Sequence, residues 1–322
     1  MDGPGTEAPV PPPPEPSVLL LFVDGVGIGA PDPHRNPFFQ AHLPVLRELL
    51  GGELPSLEEP EPFGDRAAAF PLDACLGMEG TPASGTGQVA LLTGENAPRL
   101  HGGHFGPWTP VGLRPLLARA NLLSVALASG ASAAFANAYP VQFLQAPPRR
   151  WAAPPLAARA AGLLDRHLSA LARGEAVASE IVNDGWRNRL GFRHLPAITP
   201  AEAGRNLVAI ATSHRLTLFA HYATDLAGHR GGMAGAVEAL ERVDSFLGGV
   251  VSHLPPHGIV LMASDHGNLE ELSSGHTRNP ALGLVVWGEG REAPAGVGAI
   301  RSIARVAGAA LSWAKVGAPS QP

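Results

Sequence analysis

The chain has 322 residues, 45% of them apolar, enough for one large domain or one domain with an insertion. Its net charge of −5 offers no electrostatic footprint for nucleic acid or an anionic membrane. The single cysteine, Cys75, excludes an internal disulfide framework and a Cys-rich zinc site, and Lys315 is the only lysine.

Residues 1–16, MDGPGTEAPVPPPPEP, are Pro-rich and acidic, and predict a disordered or polyproline-like tail. Val18 to Val23 is too short for a membrane span and lacks a preceding basic region. No other stretch reads as long enough to span, so the expectation is a soluble cytoplasmic protein. Ser17–Asp24, apolar on both faces, predicts a buried parallel strand that delivers the Asp24 carboxylate at its C-terminal end, followed by a Gly-rich turn. Residues 30–80 read as irregular. The segment TPASGTGQVALLTG then predicts a loop feeding a helix from Ser84 to Leu92, closed by Gly94. A hydroxyl at that helix start, Ser84 or its rival Thr86, sits beside free N–H groups, although Ser84 also reads simply as an N-cap.

Residues 112–130 predict one helix, and Ser132–Tyr139 a strand. Residues 141–196 break the pattern, with Pro-rich turns, a helical stretch Leu156–Leu171 and the Arg-bearing run NDGWRNRLGFR. They read as an inserted lid or cap. Arg187 and Arg189 in it, with Arg278 downstream, are candidates for holding an anionic substrate; solvated surface arginines are the alternative. Thr199-Pro200-Ala-Glu202 predicts a capping box with proline at the first helical position. A strand at Leu216–His221 follows and delivers Asp225 and His229. A helix with Val237, Leu240, Val243, Leu247 and Val250 on one face comes next. A strand over Gly258–Met262 then leads into ASDHGNLEELSSGHTRNP, where Asp265, His266 and His276 gather at a strand end. A strand at Leu282–Trp287 and a last helix with Ile300, Ile303, Ala307 and Leu311 inward complete the chain. Alternating strands and helices predict an α/β fold with a mostly parallel sheet.

Asp24, Ser84, Asp225, His229, Asp265, His266 and His276 thus cluster at one sheet edge. Adjacent Asp265 and His266 would point to opposite faces of a straight strand, an objection met by a turn at Gly267. Three carboxylates and a deprotonated Ser84 carry −4, which balances two divalent cations about 3.5–4 Å apart. Mixed carboxylate and imidazole donors suit manganese or zinc better than calcium. His101 and His104 read as loop residues near substrate, His221 as a support for the ligands, and the remaining histidines as surface residues.

The pieces LLLFVDGVGIG, PASGTGQVALLTG, TDLAGH, SDHGNLEE and GHTRNP, in this order, resemble the alkaline phosphatase superfamily. The resemblance is to the branch of cofactor-independent phosphoglycerate mutase and phosphopentomutase in particular. It implies a doubly wound core over residues 17–140 and 197–316, with a lid at 141–196. It implies two divalent metals (Mn²⁺ or Zn²⁺, with Mg²⁺ as a further candidate), one held by Asp225, His229 and His276 and the other by Asp24, Ser84, Asp265 and His266. It also implies phosphoryl transfer to Ser84, with a small phosphorylated substrate and neither nucleic acid nor membrane as partner. The insertion is far smaller than the second domain of those mutases and carries no lysine, which favours phosphomonoester hydrolysis over mutase chemistry. A Ser-His-Asp acyl hydrolase and a non-catalytic metal-binding protein are the competing classes; the former lacks the G-x-S-x-G elbow.

Overall fold

The computed structural model describes residues 15–145 and 147–316; residues 1–14 of the expected tail lie outside it. A seven-stranded sheet runs through the middle, formed by β1 (Ser17–Val23), β2 (Phe63–Gly64), β3 (Ala67–Leu72), β4 (Ala133–Phe135), β5 (Leu216–His221), β6 (Gly258–Ala263) and β7 (Ala281–Trp287). The order is β2-β3-β7-β6-β1-β5-β4. β6, β1, β5 and β4 are mutually parallel; β7 opposes β6, β3 opposes β7, and β2 opposes β3. Five strands therefore share one direction, as expected for an α/β sheet. The antiparallel edge built from the supposedly irregular 30–80 segment was not foreseen. Its strand AAAFPL is short, Ala-rich and contains proline, so neither propensity nor alternation marks it.

β1 shows why the fold is layered on both faces. Val18, Leu20 and Phe22 enter one core, with residues of the Ser84–Thr93, Leu122–Ala128 and Val306–Trp313 helices. Leu19, Leu21 and Val23 enter the other, with residues of the Pro200–Ala211 and Gly232–Val251 helices. Side chains alternate along a strand, so a run apolar at every position needs a helical layer on each side.

Several local expectations change. The 112–130 helix is a 3-10 turn at Val111–Leu113, then Arg114–Ala120 and Leu122–Ala128, broken at Asn121, whose side chain accepts from the N–H groups of Leu123 and Ser124. Residues 111–128 also pass the length and hydropathy test for a membrane span, contrary to the reading that no such stretch exists. Here they are short helices whose Leu117, Leu122 and Leu123 are packed in a core. The long helix expected at 156–171 is two short ones, Ala153–Ala160 and Leu168–Ala172, and Gly185–Arg189 forms a π-helical turn. The capping box at Thr199 and Glu202 is formed.

The strand register positions the site. Val23 pairs with His221 across β1 and β5, and Phe22 with Ala263 across β1 and β6. The three central strands therefore end level, and Asp24, Tyr222 and Ser264 begin their loops at one edge. Ligands of open parallel sheets bind at this edge.

Candidate metal centre

Asp24 leaves β1 directly, with Thr224 Oγ1 donating to its carbonyl at 2.6 Å. Gly25 follows with φ +68, and a Cβ there would lie 2.4 Å from Asp225 Oδ1, so the β1 loop must pass the second carboxylate as glycine. Asp225 and His229 occupy the Ala223–Arg230 helix, one turn apart and hence on one face. Asp265 and His266 follow β6, and an antiparallel bridge between Gly267 and Thr277 brings His276 back beside them. Gly267 does not take the left-handed conformation. Its lack of a Cβ matters because one would lie 2.4 Å from both Glu270 Oε1 and Thr277 Oγ1. Buried Glu270 accepts from the N–H groups of Gly27 at 3.0 Å and Asn268 at 2.8 Å, from Asn279 Nδ2 at 3.1 Å and from the Thr277 hydroxyl. It clamps the β1 loop to the 264–280 loop.

Ser84 is the first residue of its helix, after the N-cap Ala83, so its hydroxyl does not serve as the cap. Instead Ser84 Oγ lies 2.9 Å from His266 Nε2. Asp24 Oδ1 is 3.4 Å and Asp265 Oδ2 3.6 Å from the same nitrogen. Thr86, the rival hydroxyl, accepts from Phe105 N–H at 3.2 Å and is turned into that loop, away from this convergence. Close by, His229 Nε2 and His276 Nε2 face each other at 3.0 Å, with Asp225 Oδ2 3.5 Å from the first and Oδ1 3.5 Å from the second. The rings of His266 and His276 have centroids 4.0 Å apart.

A carbonyl only accepts, so His266 Nδ1, 3.2 Å from Gly267 O, and His276 Nδ1, 3.0 Å from Pro82 O, carry protons. That leaves Nε2 as the ligating nitrogen of each. Asp24 Oδ1 and Asp265 Oδ2 are buried without a hydrogen-bond partner among the described residues. Unpartnered buried carboxylate oxygens cost several kcal/mol, roughly, unless a cation lies against them. The residues therefore fit divalent metals. Asp225, His229 and His276 form one donor set, and Asp24, Asp225 and His266 a second, the donor atoms of each lying within 4.8 Å of one another. Asp225 thus stands between the two groups, whereas the sequence had assigned it to one.

Electrostatics agree with this donor set. Burial, with Asp225's charge adding, pushes the Asp24 carboxyl above its usual range. Burial and the Asp24 charge push Asp265 well above its own. For His266, burial opposes protonation, but Asp265 and Asp24 outweigh it and raise the imidazole to about 10. Burial acts upward on Asp225, but the neighbouring His276 imidazole, the His266 charge and the Asn268 hydrogen bond leave it below the ordinary value.

Sequence reasoning missed the groups that hold the ligands. Asn268 Nδ2 donates to Asp225 Oδ1 at 2.7 Å. Gln88 Nε2 donates to Asp24 Oδ2 at 3.1 Å, while its Oε1 accepts from Ala153 N–H at 3.1 Å, tying the insertion to a metal-site carboxylate. Gln88 lies one helical turn after Ser84, and that i, i+4 spacing was the available signal. Gln88→Ala should orphan both partners and lower stability by about 1–3 kcal/mol. Denaturant unfolding would show it, and a loss within error would make the bridge incidental.

A cleft of about 790 Å³ opens beside Asp24, Ser84, Asp225, His229 and His276. The insertion supplies part of its wall through Phe143, Arg150, Trp151 and Ser179. Arg187, Arg189 and Arg278 do not line it. Arg187 donates to Leu195 O, Arg189 pairs with Glu180, and Arg278 donates to Gly80 O. The arginines at the cleft are Arg150 and Arg230. His101 stacks edge-on against Phe105, and neither it nor His104 lines the cleft. His221 is buried beneath the edge, Nδ1 2.7 Å from Ser179 O, and burial lowers its pKa to about 4.

Residues 198–316 match the family model described as the Metalloenzyme superfamily. That segment includes Asp225, His229, Asp265, His266 and His276. A 2,3-bisphosphoglycerate-independent phosphoglycerate mutase of Rippkaea orientalis is 36% identical over 84 residues, covering 24% of this chain and 16% of the relative. The same-named protein of Rhodopseudomonas palustris is 32% identical over 106 residues, covering 30% of this chain and 21% of that one. The matched stretch is thus a small part of those proteins. Among solved structures, a Pyrococcus horikoshii protein superposes with TM-score 0.55 at 12% identity, covering 96% of this chain and 99% of the other. The alkaline phosphatase of the Antarctic bacterium TAB5 superposes with TM-score 0.51 at 11% identity, covering 94% and 99%. Residues 198–316 thus carry the pattern of the Metalloenzyme superfamily, and the fold as a whole is alkaline phosphatase-like.

Proposed function

We propose that the protein transfers phosphoryl groups, and that it hydrolyses a phosphomonoester through a phosphoserine at Ser84. The observation that carries this reading is the convergence of Ser84 Oγ, Asp24 Oδ1 and Asp265 Oδ2 on one nitrogen, His266 Nε2. In a Ser-His-Asp hydrolase the serine and the carboxylate take opposite ring nitrogens. Here Nδ1 faces Gly267 O instead, so the arrangement suits ligation and not proton relay. Bound at the two donor sets, divalent cations would neutralise the carboxylates, make the Ser84 hydroxyl more acidic and offset charge on the phosphoryl oxygens.

The chain's own residues do the rest. Ser84 forms the new O–P bond while the ester O–P bond breaks, and the alcohol leaves with a proton. Water then attacks the phosphoserine, returning the hydroxyl and releasing inorganic phosphate. The start of the Ser84–Thr93 helix points its N–H dipoles at the charge developing on phosphorus. Asn268 and Gln88 keep the Asp225 and Asp24 carboxylates oriented. Phosphomutase is the second reading, supported by the naming of the partial relatives. The small lysine-free insertion favours hydrolysis.

The test is a panel of phosphomonoesters, sugar phosphates and sulfate esters assayed with Mn²⁺, Zn²⁺ and Mg²⁺. Label from a phosphoryl-labelled ester should appear as inorganic phosphate. Label in a second ester would establish the mutase reading, and turnover of sulfate esters alone would overturn phosphoryl transfer.

A further inference from the structure

Resting on the phosphomonoester reading, we infer that the group esterified to phosphate is a planar ring system, aryl or nucleoside-like, stacked at Trp108. The cleft's volume of about 790 Å³ lies in the range of sites for drug-sized ligands, far more than a phosphoryl group and a three-carbon acid occupy. Its walls are aromatic: Trp108, Tyr139, Trp151 and Tyr222 line it together with Asp24 and Ser84.

Part of that wall is rigid. Trp151, 3% exposed, stacks on Phe143 at 4.2 Å between centroids, and Phe143 lies 4.7 Å from Tyr139, which lies 6.1 Å from buried Phe135. These rings form one continuous run from the insertion to the end of β4. Trp108 differs: it is 42% exposed and makes no ring contact among the described residues, so a face remains for a ligand.

The charge at the cleft is complementary. Arg150 and Arg230 line it, both exposed, and neither has an ion-pair or hydrogen-bond partner among the described residues. A free guanidinium suits the phosphate's peripheral oxygens and stacks on a planar ring. A substrate whose alcohol carries no planar ring uses the arginines and leaves the aromatic wall without a partner. A ring-bearing ester uses both.

The test compares adenosine 5′-monophosphate with ribose 5-phosphate, which share a primary-alcohol ester and differ by the planar base. With the Mn²⁺-loaded Ser84→Ala protein, calorimetric titration should find the nucleotide tighter by about tenfold or more, the scale of one base–aromatic stack. Trp108→Ala in that background should abolish the preference, and Trp108→Phe should keep most of it. Equal affinities for the two ligands, or a preference that survives Trp108→Ala, would overturn the ring proposal. Turnover is measured separately on the unsubstituted protein. Hydrolysis of both esters at the same kcat/KM leaves phosphoryl transfer standing while removing the ring preference. Tight nucleotide binding without phosphate release from any ester removes phosphoryl transfer and leaves the ring site.

Discussion

Replacing Ser84 by alanine is expected to leave the fold intact and to remove nearly all turnover, a loss of about three orders of magnitude or more in kcat. The hydroxyl is buried and 2.9 Å from His266 Nε2, and it neither caps its helix nor contacts a core side chain in a way alanine cannot replace. The loss therefore falls on chemistry and not on stability. An aliphatic hydroxyl is a very weak acid, so a nucleophilic role requires the cationic surroundings that this cluster of donors would hold. Mass spectrometry after rapid quench should place phosphate on the peptide containing Ser84 in the unsubstituted protein and none there in Ser84→Ala. Thr86→Ala should be milder in kcat because that hydroxyl holds the Phe105 loop. Phosphate on Thr86 would move the nucleophile without changing the reaction. Full activity of Ser84→Ala with no phosphopeptide would leave water as the nucleophile and remove the covalent step.

Stripping metal is expected to abolish activity and to destabilise the protein, increasingly so as pH rises. The sign follows from the direction of each shift. Asp24 and Asp265 have raised pKa values, so above about pH 4 the folded metal-free protein keeps protons that the unfolded chain has lost. Stability then falls as pH climbs through the raised values. His266, raised to about 10, contributes stability that is fully present below its ordinary value of 6.5 and lost as pH rises through about 10. Asp225 works in the opposite sense, but its contribution is lost only on acidification through its lowered value. Cations take the place of the protons, so metal affinity and metal-dependent stabilisation both grow with pH. At a hundred to a thousand times Kd the stabilisation is about 3–4 kcal/mol. Thermal melts with chelator and with Mn²⁺ or Zn²⁺, at about pH 6 and about pH 9, should show the larger gap at the higher pH. An equal gap, or a larger one at low pH, would mean that these buried groups do not exchange protons for metal.

The arginines show how far residue type alone carries. Arg187 and Arg189 stood out because they fall in the one Arg-rich interruption of the α/β alternation. A π-helical turn directs them instead to Leu195 O and Glu180. Arg150 sits in the same insertion with no motif around it, and Arg230 follows a ligand histidine. Both reach the cleft. A guanidinium on a long flexible stem carries no local signal of direction; its partners come from whatever packs beside it.

By itself, the sequence determined what depends on neighbours in the chain. A strand apolar on both faces followed at once by Asp24, the one-turn spacing of Asp225 and His229, the Asp265-His266 pair after β6 and the capping box at Thr199 are local patterns. Local backbone geometry makes such patterns legible. Only the tertiary structure decided which strand ends lie level, because that depends on the register of β1 against β5 and β6. It also added β2 and β3 and turned β7 antiparallel, since the Ala- and Pro-containing edge has no periodic signal. It placed Asp225 between both donor sets, gave Gln88 and Asn268 their carboxylates, and built an aromatic cleft from rings distant in the chain. Those contacts join residues many positions apart, and side-chain direction at long range is set by packing, which no short stretch of sequence encodes.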